Sequence, residues 1–191
     1  MIEQLIHADQ SLFLWIQQHC RNSFLDMVMP YVRHKETWYL LYAGMIFMLL
    51  YRLKWLGARI ILVIIISVVL SDLCSSSVIK PTFKRTRPCR DAEMITQFTP
   101  AIDCSSGYSF TSSHAANHFS IALSLSAFFL RKRRWFLYLM LSWAALIAFA
   151  QVYVGVHYPL DIFCGALVGV IVATGIQLIL KKYFSSRFVW S

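Results

Sequence analysis

The segment 151–161 reads Gln-Val-Tyr-Val-Gly-Val-His-Tyr-Pro-Leu-Asp and separates two long apolar runs of the chain. Pro159 suits the first turn of a new helix, because no N–H donor is needed there. Asp161 then lies in that first turn, four residues after His157, where a carboxylate can hold an imidazole in one tautomer and stabilise its cation. The same residues also fit a helix cap beside a packed aromatic turn, so this segment alone does not establish a catalytic site.

The composition indicates an integral membrane protein. Of the 191 residues, 58% are hydrophobic and only 14% are charged, and the mean hydropathy is +0.59. Soluble domains carry about 25% charged residues. The length predicts a single domain, 1–191, in which 1–35 form N-terminal amphipathic helices at the membrane interface and 36–182 form a transmembrane catalytic core.

The hydrophobic pattern predicts an all-α, polytopic membrane helix bundle. Residues 1–20 are predicted to form one interfacial helix, and 22–31 a second that ends near Pro30. Five later segments approach the ~20 apolar residues that cross a bilayer core, so about five transmembrane helices are expected. They are 38–53, 58–79, 113–130, 135–154 and 160–180.

The distribution of basic residues predicts the orientation of this bundle. The turns 52–59 and 131–134 and the C-terminal tail contain ten of the 18 Lys and Arg residues and none of the nine acidic residues. Because cytoplasmic loops are enriched in Lys and Arg, these segments are predicted to be cytoplasmic. The loops 80–112 and 154–160 then face outward. We expect a protein of the bacterial cytoplasmic (inner) membrane with its polar site on the periplasmic or outer face.

Three polar segments are predicted to meet on that outer face. The segment 80–90 contains five cations in eleven residues, which favours phosphate binding over anchoring, because the outer side of a membrane protein is normally poor in cations. In the second segment, Thr111 or Ser112 is a plausible N-cap for the helix that contains His114, and the free N–H groups at the start of that helix can bind an anion. His157 and Asp161 form the third. Together these segments can supply charge stabilisation, a nucleophile, an orienting carboxylate and an acid.

In this order, the motifs resemble the type 2 phosphatidic acid phosphatase family of membrane lipid phosphatases. The resemblance covers about residues 60–180. It rests on Lys80 and, after six residues, Arg87-Pro88, then on Ser112-x-His114, and then on His157 and, after three residues, Asp161. It implies an all-helical membrane bundle with its site at the outer surface, and a reaction that requires no metal and no cofactor.

The resemblance also implies a role for each residue. His157 would attack phosphorus and become phosphorylated, Asp161 would orient it, and His114 would protonate the leaving group. The phosphate would be cradled by Lys80, Arg87 and the backbone around Ser112 and Ser113.

Two positions depart from the family's usual motifs. Ser113 stands where Gly is usual, which restricts the backbone slightly but keeps the N–H donors. Gln151 stands where Arg is usual, which removes a charge-assisted phosphate contact worth ~1.5–3 kcal/mol. Gln151 can still donate a neutral hydrogen bond, so it is retained among the predicted substrate-binding residues and an active enzyme is predicted.

The predicted function is metal-independent hydrolysis of a lipid phosphate or diphosphate through a phosphohistidine. The candidate substrates are phosphatidylglycerophosphate, phosphatidate, undecaprenyl diphosphate and a lipid A phosphate. Three alternatives stay open: transfer of the phosphoryl group to another lipid, a metal site built from the His114/His118 and His157/Asp161 pairs, and a non-catalytic protein that binds anionic lipid. The predicted partners are the lipid substrate and the phospholipid bilayer, without nucleic acid, and the sequence does not determine an oligomeric state.

Two further expectations concern structure. Cys89 and Cys104 lie in the same outer loop, where an oxidising compartment would allow them to form a disulfide. Asp72 lies inside a predicted span, too far from Lys80 along the helix to reach the phosphate, and is expected to form structural hydrogen bonds.

Overall fold

A computed structural model describes residues 1–128 and 134–184, and within these ranges the chain forms eight α-helices and no strand. They are α1 (Ile2–His19), α2 (Ser23–Arg33), α3 (Tyr39–Leu53), α4 (Trp55–Asp72), α5 (Lys80–Phe83), α6 (Ser113–Ala127), α7 (Arg134–Tyr153) and α8 (Pro159–Phe184). A π-helical segment, Leu73–Ile79, joins α4 to α5. Of the basic cluster predicted at 131–134, the first three residues lie outside the described ranges, as does Arg187 in the C-terminal tail.

Three helical segments in the described part of the chain are long and apolar enough to cross a membrane. They are Trp55–Phe83, Arg134–Tyr153 and Pro159–Tyr183. As described, α3 and α6 have 15 residues each, fewer than the ~20 that cross a bilayer core. The predicted class, an all-helical membrane bundle, is confirmed, whereas the number of five spans stays a prediction.

The central helix of the bundle is α6, which packs against α4, α7 and α8. Its approach to α8 is close at Gly165 and Gly169, where an added Cβ would collide with the carbonyl oxygens of Ser112 and Ala116. Small residues four apart let two helix backbones approach each other in this way. This contact fixes the start of α6 against the start of α8.

The N-terminal helix α1 lies across the end of the bundle where α7 ends and α8 begins. Its buried side consists of Asp9, Phe13 and Gln17, each one helical turn from the next. Most of the apolar residues that predicted an amphipathic helix, including Leu5 and Leu12, are exposed, as expected of an interfacial helix, whereas Phe13 is buried. The helix is therefore amphipathic as predicted, but a partly polar stripe faces the protein and an apolar face is left for the lipid interface.

The end of α2 was wrongly predicted at Pro30, because the helix continues to Arg33. Proline removes one backbone N–H donor and strains the preceding turn. Met29, however, is buried in a cluster with Tyr153 and Val154 at the end of α7. This packing holds the last turn of α2 in place.

Candidate active site

The predicted site segments meet at one end of the bundle because successive long helices run in opposite directions. Lys80 follows the helix α4 and its π-helical extension, and His114 lies in the first turn of α6. His157 lies in the turn after α7, and Asp161 in the first turn of α8. Two helix ends and two helix starts therefore bring together residues that are distant in sequence.

The turn between α7 and α8 presents His157 from a rigid backbone. Gly155 has φ +88°, which favours glycine, and a Cβ there would collide with the ring of Phe98. The N–H groups of Val156 and His157 donate to the carbonyl oxygen of Gln151 at 3.1 and 3.3 Å. Only 2% of the His157 side chain is exposed.

The Nδ1 side of the His157 ring faces a carboxylate. Asp161 Oδ2 lies 3.5 Å from Nδ1, and Ser109 Oγ lies 3.3 Å from the same nitrogen. The Ser109 hydroxyl donates a short hydrogen bond to Asp161 Oδ2, and the Tyr158 N–H donates to this oxygen at 2.8 Å. The Asp161 carboxylate therefore lies beside Nδ1, where a carboxylate can hold an imidazole in one tautomer, and Ser109 holds that carboxylate.

The Nε2 side of the same ring faces a cation. Arg87 Nη1 lies 3.2 Å from Nε2 and also donates to the carbonyl oxygen of Val156 at 3.0 Å. A guanidinium group can only donate hydrogen bonds, so Nε2 accepts and carries the lone pair, and this network assigns the ring proton to Nδ1. Nε2 is therefore the nitrogen that can act as a nucleophile.

The surroundings also determine the charge of the ring. Burial lowers the pKa of His157 to about 4; Asp161 opposes this shift, and the charges of Arg87 and Lys80 reinforce it. The imidazole is therefore neutral at pH 7, which is the form with a lone pair for attack. Burial likewise lowers the pKa of Arg87, but an arginine keeps its charge at neutral pH.

The start of α6 provides further donors for an anion. Ser112 caps the helix, because its Oγ accepts from the Ala115 N–H at 3.4 Å, while its own N–H donates to the carbonyl oxygen of Asp161 at 3.0 Å. The next N–H groups, those of Ser113 and His114, have no acceptor within the helix. The Ser113 hydroxyl is held by Ser75 Oγ at 2.9 Å.

The two histidines of α6 have different surroundings. The His118 ring is buried; its Nδ1 donates to the carbonyl oxygen of His114 at 2.7 Å, and its Nε2 lies 2.9 Å from the hydroxyl of Tyr42. Both nitrogens are engaged, so His118 is a packing residue, whereas His114 is only half-buried. In the same helix, Asn117 donates to Asp72 at 3.1 Å, the kind of structural bond expected for that carboxylate.

Arg85 has a different environment from its neighbour Arg87. Its Nη1 lies 2.9 Å from Asp161 Oδ1, and its Nη2 lies 2.7 Å from Asp9 Oδ2. The sequence grouped Arg85 with the phosphate-binding cations, but in the structure it bridges two carboxylates. No local pattern could have predicted this, because Asp9 and Asp161 are each 76 residues away from Arg85 in the chain.

Gln151 is fully buried, and both ends of its amide contact Arg33 of α2. Arg33 Nε donates to Gln151 Oε1 at 3.3 Å, and Gln151 Nε2 donates to the carbonyl oxygen of Arg33 at 3.4 Å. Arg33 is half-buried and forms no ion pair with any carboxylate of the described residues. Its charge is one of those that lower the pKa of Arg87, after burial. Sequence reasoning missed Arg33 because it lies 118 residues before Gln151.

The loop between α5 and α6, which supplies Arg87 and Ser109, is closed by a disulfide. It joins Cys89 to Cys104, whose Cα atoms are 5.7 Å apart. The bond links the segment after Arg87 to the segment that leads to Ser109, and so connects groups on both sides of the His157 ring.

The donor set does not fit the alternative of a metal site. His157 Nε2 faces a guanidinium group, and both nitrogens of His118 already have partners. Within 1–128 and 134–184, no three His, Cys, Asp or Glu side chains are arranged to share a metal ion.

Comparison with known proteins indicates the family to which the chain belongs. The model of the PAP2 superfamily matches residues 57–185. The lipid A 4'-phosphatase of Porphyromonas gingivalis is 29% identical over 191 residues, which are 99% of this chain and 78% of that protein. The lipid A 4'-phosphatase of Bacteroides thetaiotaomicron is 30% identical over 172 residues, 88% of this chain and 75% of that protein.

Solved structures that are similar to this chain include the crystal structure of LpxE from Aquifex aeolicus. It is similar to this chain with a TM-score of 0.72 and 26% sequence identity, over 88% of this chain and 93% of that one. The family match extends over more than half of the chain and includes Lys80, Arg87, His114, His157 and Asp161. The protein therefore belongs to the PAP2 superfamily.

Proposed function

We propose that this protein is a lipid phosphatase that removes a phosphate from a lipid A type glycolipid through a phosphohistidine on His157, without a metal ion. The observation that carries the proposal is the position of His157 between Arg87 and Asp161. One ring nitrogen faces a cation that can bind phosphate, and the other faces a carboxylate. This arrangement suits nucleophilic attack on an anionic phosphate.

In the first step, Nε2 of His157 attacks phosphorus and the bond from phosphorus to the lipid oxygen breaks. Arg87, Lys80 and the free N–H groups at the start of α6 would stabilise the charge on the phosphoryl oxygens. The negative charge of the bound phosphate would favour the protonated form of His114, which would then give its proton to the leaving lipid oxygen, so that the lipid departs as an alcohol. Asp161 would stabilise the positive charge that develops on the His157 ring.

In the second step, water attacks the phosphohistidine and the bond between nitrogen and phosphorus breaks. His114, deprotonated by the first step, would take the proton from that water. Inorganic phosphate leaves, and His157 and His114 return to their starting states. These two steps use only side chains and N–H groups of the site, and they consume one water molecule for each phosphate released.

Gln151 would contribute to phosphate binding through Arg33. The amide oxygen of Gln151 holds the Nε of Arg33, which leaves the other guanidinium nitrogens for phosphate oxygens. A half-buried guanidinium that has no carboxylate partner in the described part of the chain favours an anionic ligand. In this way a cation from α2 would stand in for the arginine that is usual at position 151.

The preference for a lipid A phosphate rests on the relatives. Two lipid A 4'-phosphatases match 99% and 88% of this chain, which favours such a substrate over phosphatidylglycerophosphate, phosphatidate or undecaprenyl diphosphate. The site lies at the ends of the helices, so a headgroup can enter it while acyl chains remain in the bilayer. The distribution of Lys and Arg supports a site on the periplasmic face of the inner membrane.

The test is phosphate release by the purified protein in detergent, with EDTA present, from each of the four candidate lipids. We expect release from lipid A that survives EDTA and is abolished in His157→Ala. The lipid products are analysed in parallel, because transfer to another lipid would yield a phosphorylated acceptor instead of free phosphate. Absence of release from all four lipids, or equal release by His157→Ala, would contradict the proposal.

A further inference from the structure

A buried chain of charged side chains connects α1 to the His157 ring. Asp9 Oδ2 lies 2.7 Å from Arg85 Nη2, and Arg85 Nη1 lies 2.9 Å from Asp161 Oδ1. The other oxygen of Asp161 faces the Nδ1 of His157 at 3.5 Å. Asp9 is 6% exposed and Asp161 is 0% exposed, so water screens these charges weakly.

A second contact fixes the carboxylate of Asp9 relative to α8. Its Oδ1 accepts a hydrogen bond from the Leu160 N–H at 2.7 Å, in the residue directly before Asp161. The guanidinium carbon of Arg85 lies over the ring of Tyr158 at 3.9 Å from its centre. Burial raises the pKa of Asp9, and the Leu160 N–H and Arg85 oppose this shift, which indicates how closely the carboxylate depends on these two partners.

The position of Asp9 matters because one guanidinium bridges two carboxylates. If Arg85 paired with Asp161 alone, it would cancel much of the negative charge that Asp161 presents to His157. Because Asp9 shares Arg85, the three groups keep a net negative charge, while Arg85 still holds the outer oxygen of Asp161. The imidazolium formed during phosphoryl transfer needs that negative charge nearby.

We propose that Asp9 is a positioning residue for phosphoryl transfer: through Arg85 it fixes the Asp161 carboxylate and preserves its charge against His157. The inference rests on the phosphohistidine function proposed above. Asp9 lies outside the segment 57–185 that matches the superfamily model, so it extends the active site to the N-terminal helix.

The test is the Asp9→Asn variant in the full-length protein, which can keep an acceptor for the Leu160 N–H but loses the charge that pairs with Arg85. Wild type and variant, at saturating amounts of lipid A with a radiolabelled 4'-phosphate in detergent micelles, are followed through a single turnover. The amplitude of labelled protein reports the fraction of active molecules, and the rate reports phosphoryl transfer. We expect a rate about 10-fold lower, the lower end of the loss seen when a partner that orients a metal-binding side chain is removed. KM, measured separately from steady-state rates over a range of lipid concentrations, should change less than about twofold.

The matched control is Asp26→Asn in the neighbouring helix α2. Asp26 also pairs with an arginine, since its Oδ1 lies 2.9 Å from Arg21 Nη2, and it accepts from the hydroxyl of Tyr153 at 2.9 Å. Its side chain is 39% exposed, and its partners are Arg21 and Tyr153 rather than Arg85 or Asp161. We expect Asp26→Asn to retain the wild-type rate.

Two results would overturn the inference. If Asp9→Asn lowers the amplitude but leaves the rate unchanged, Asp9 supports folding and does not position the site. If neither changes, Asp9 has no effect on the reaction. A His157→Ala variant that retains full phosphate release would instead contradict the proposed function, so the two failures are distinguishable.

Discussion

The two sides of the His157 ring differ in charge, and the difference indicates which nitrogen reacts. On the Nδ1 side, Asp161 and Ser109 lie within 3.5 Å of the nitrogen. On the Nε2 side, Arg87 lies at 3.2 Å, and the charge of Lys80 also acts on the ring. A neutral imidazole in this field attracts an anionic phosphate to Nε2 and has a carboxylate ready for the charge that forms.

The difference also separates two neighbouring arginines by role. Arg87 faces Nε2 of His157 and the backbone around it, whereas Arg85, two residues earlier, bridges Asp9 and Asp161. In the proposed mechanism, the same residue type therefore binds phosphate in one case and orients a carboxylate in the other. The surrounding charges determine the role more than the motif does.

The largest expected loss of activity comes from removing the carboxylate on the Nδ1 side of the His157 ring. Asp161→Asn removes the charge that stabilises the imidazolium and leaves Arg85 with one carboxylate, so we expect kcat to fall on the order of 10³–10⁴-fold, as when the aspartate of a catalytic triad is replaced. Phosphate release in detergent measures this effect, with Asp26→Asn as the control for loss of a carboxylate. Retention of more than about a tenth of the activity would mean that the Nδ1 side does not need a charge.

A smaller effect is expected from adding a cation next to Arg33. Gln151→Arg introduces a second buried guanidinium at the position where Gln151 now contacts Arg33, so we expect like charges to lower stability by about 1–3 kcal/mol. For a chain of this size, each kcal/mol corresponds to about 2–4 °C in the thermal unfolding midpoint. The control is Gln18→Arg, because Gln18 is exposed on α1. An unchanged midpoint together with higher activity would indicate that position 151 binds phosphate directly.

The smallest effect is expected from a change of pH, because the charges on both sides of the His157 ring and its burial set the pKa of this histidine. Burial lowers this pKa to about 4, below its ordinary value of about 6.5. Between these values the unfolded chain binds more protons than the folded protein does. The contribution of His157 to stability is therefore full above about pH 6.5 and is lost as the pH falls towards 4.

The measurement is the unfolding midpoint from pH 4 to pH 8 for wild type and His157→Gln. We expect the wild-type midpoint to decrease more steeply below pH 6.5 than that of the variant, which lacks this titrating group. Identical pH profiles would mean that His157 is not buried in the neutral form.

The parts of the site that are local in sequence could be predicted, and the parts that depend on distant contacts could not. The spacing of His157 and Asp161 and the helix start at Ser112 were visible in the sequence, because a helical turn or a cap needs only a few residues. Asp9 and Arg33 reach the site through tertiary contacts from two N-terminal helices, which no spacing indicates. The contacts of α1 with the rest of the protein were not predicted either, because its polar residues Asp9 and Gln17 find partners inside the protein.

The most direct test of the account is to trap the covalent intermediate. Protein is mixed with a limiting amount of lipid A that carries a radiolabelled 4'-phosphate, quenched in alkali because phosphohistidine is labile in acid, and mapped by mass spectrometry. The charge difference across the ring predicts a phosphoryl group on the Nε2 atom of His157. A label on Nδ1, a label on another residue, or phosphate release without a labelled protein would contradict the account.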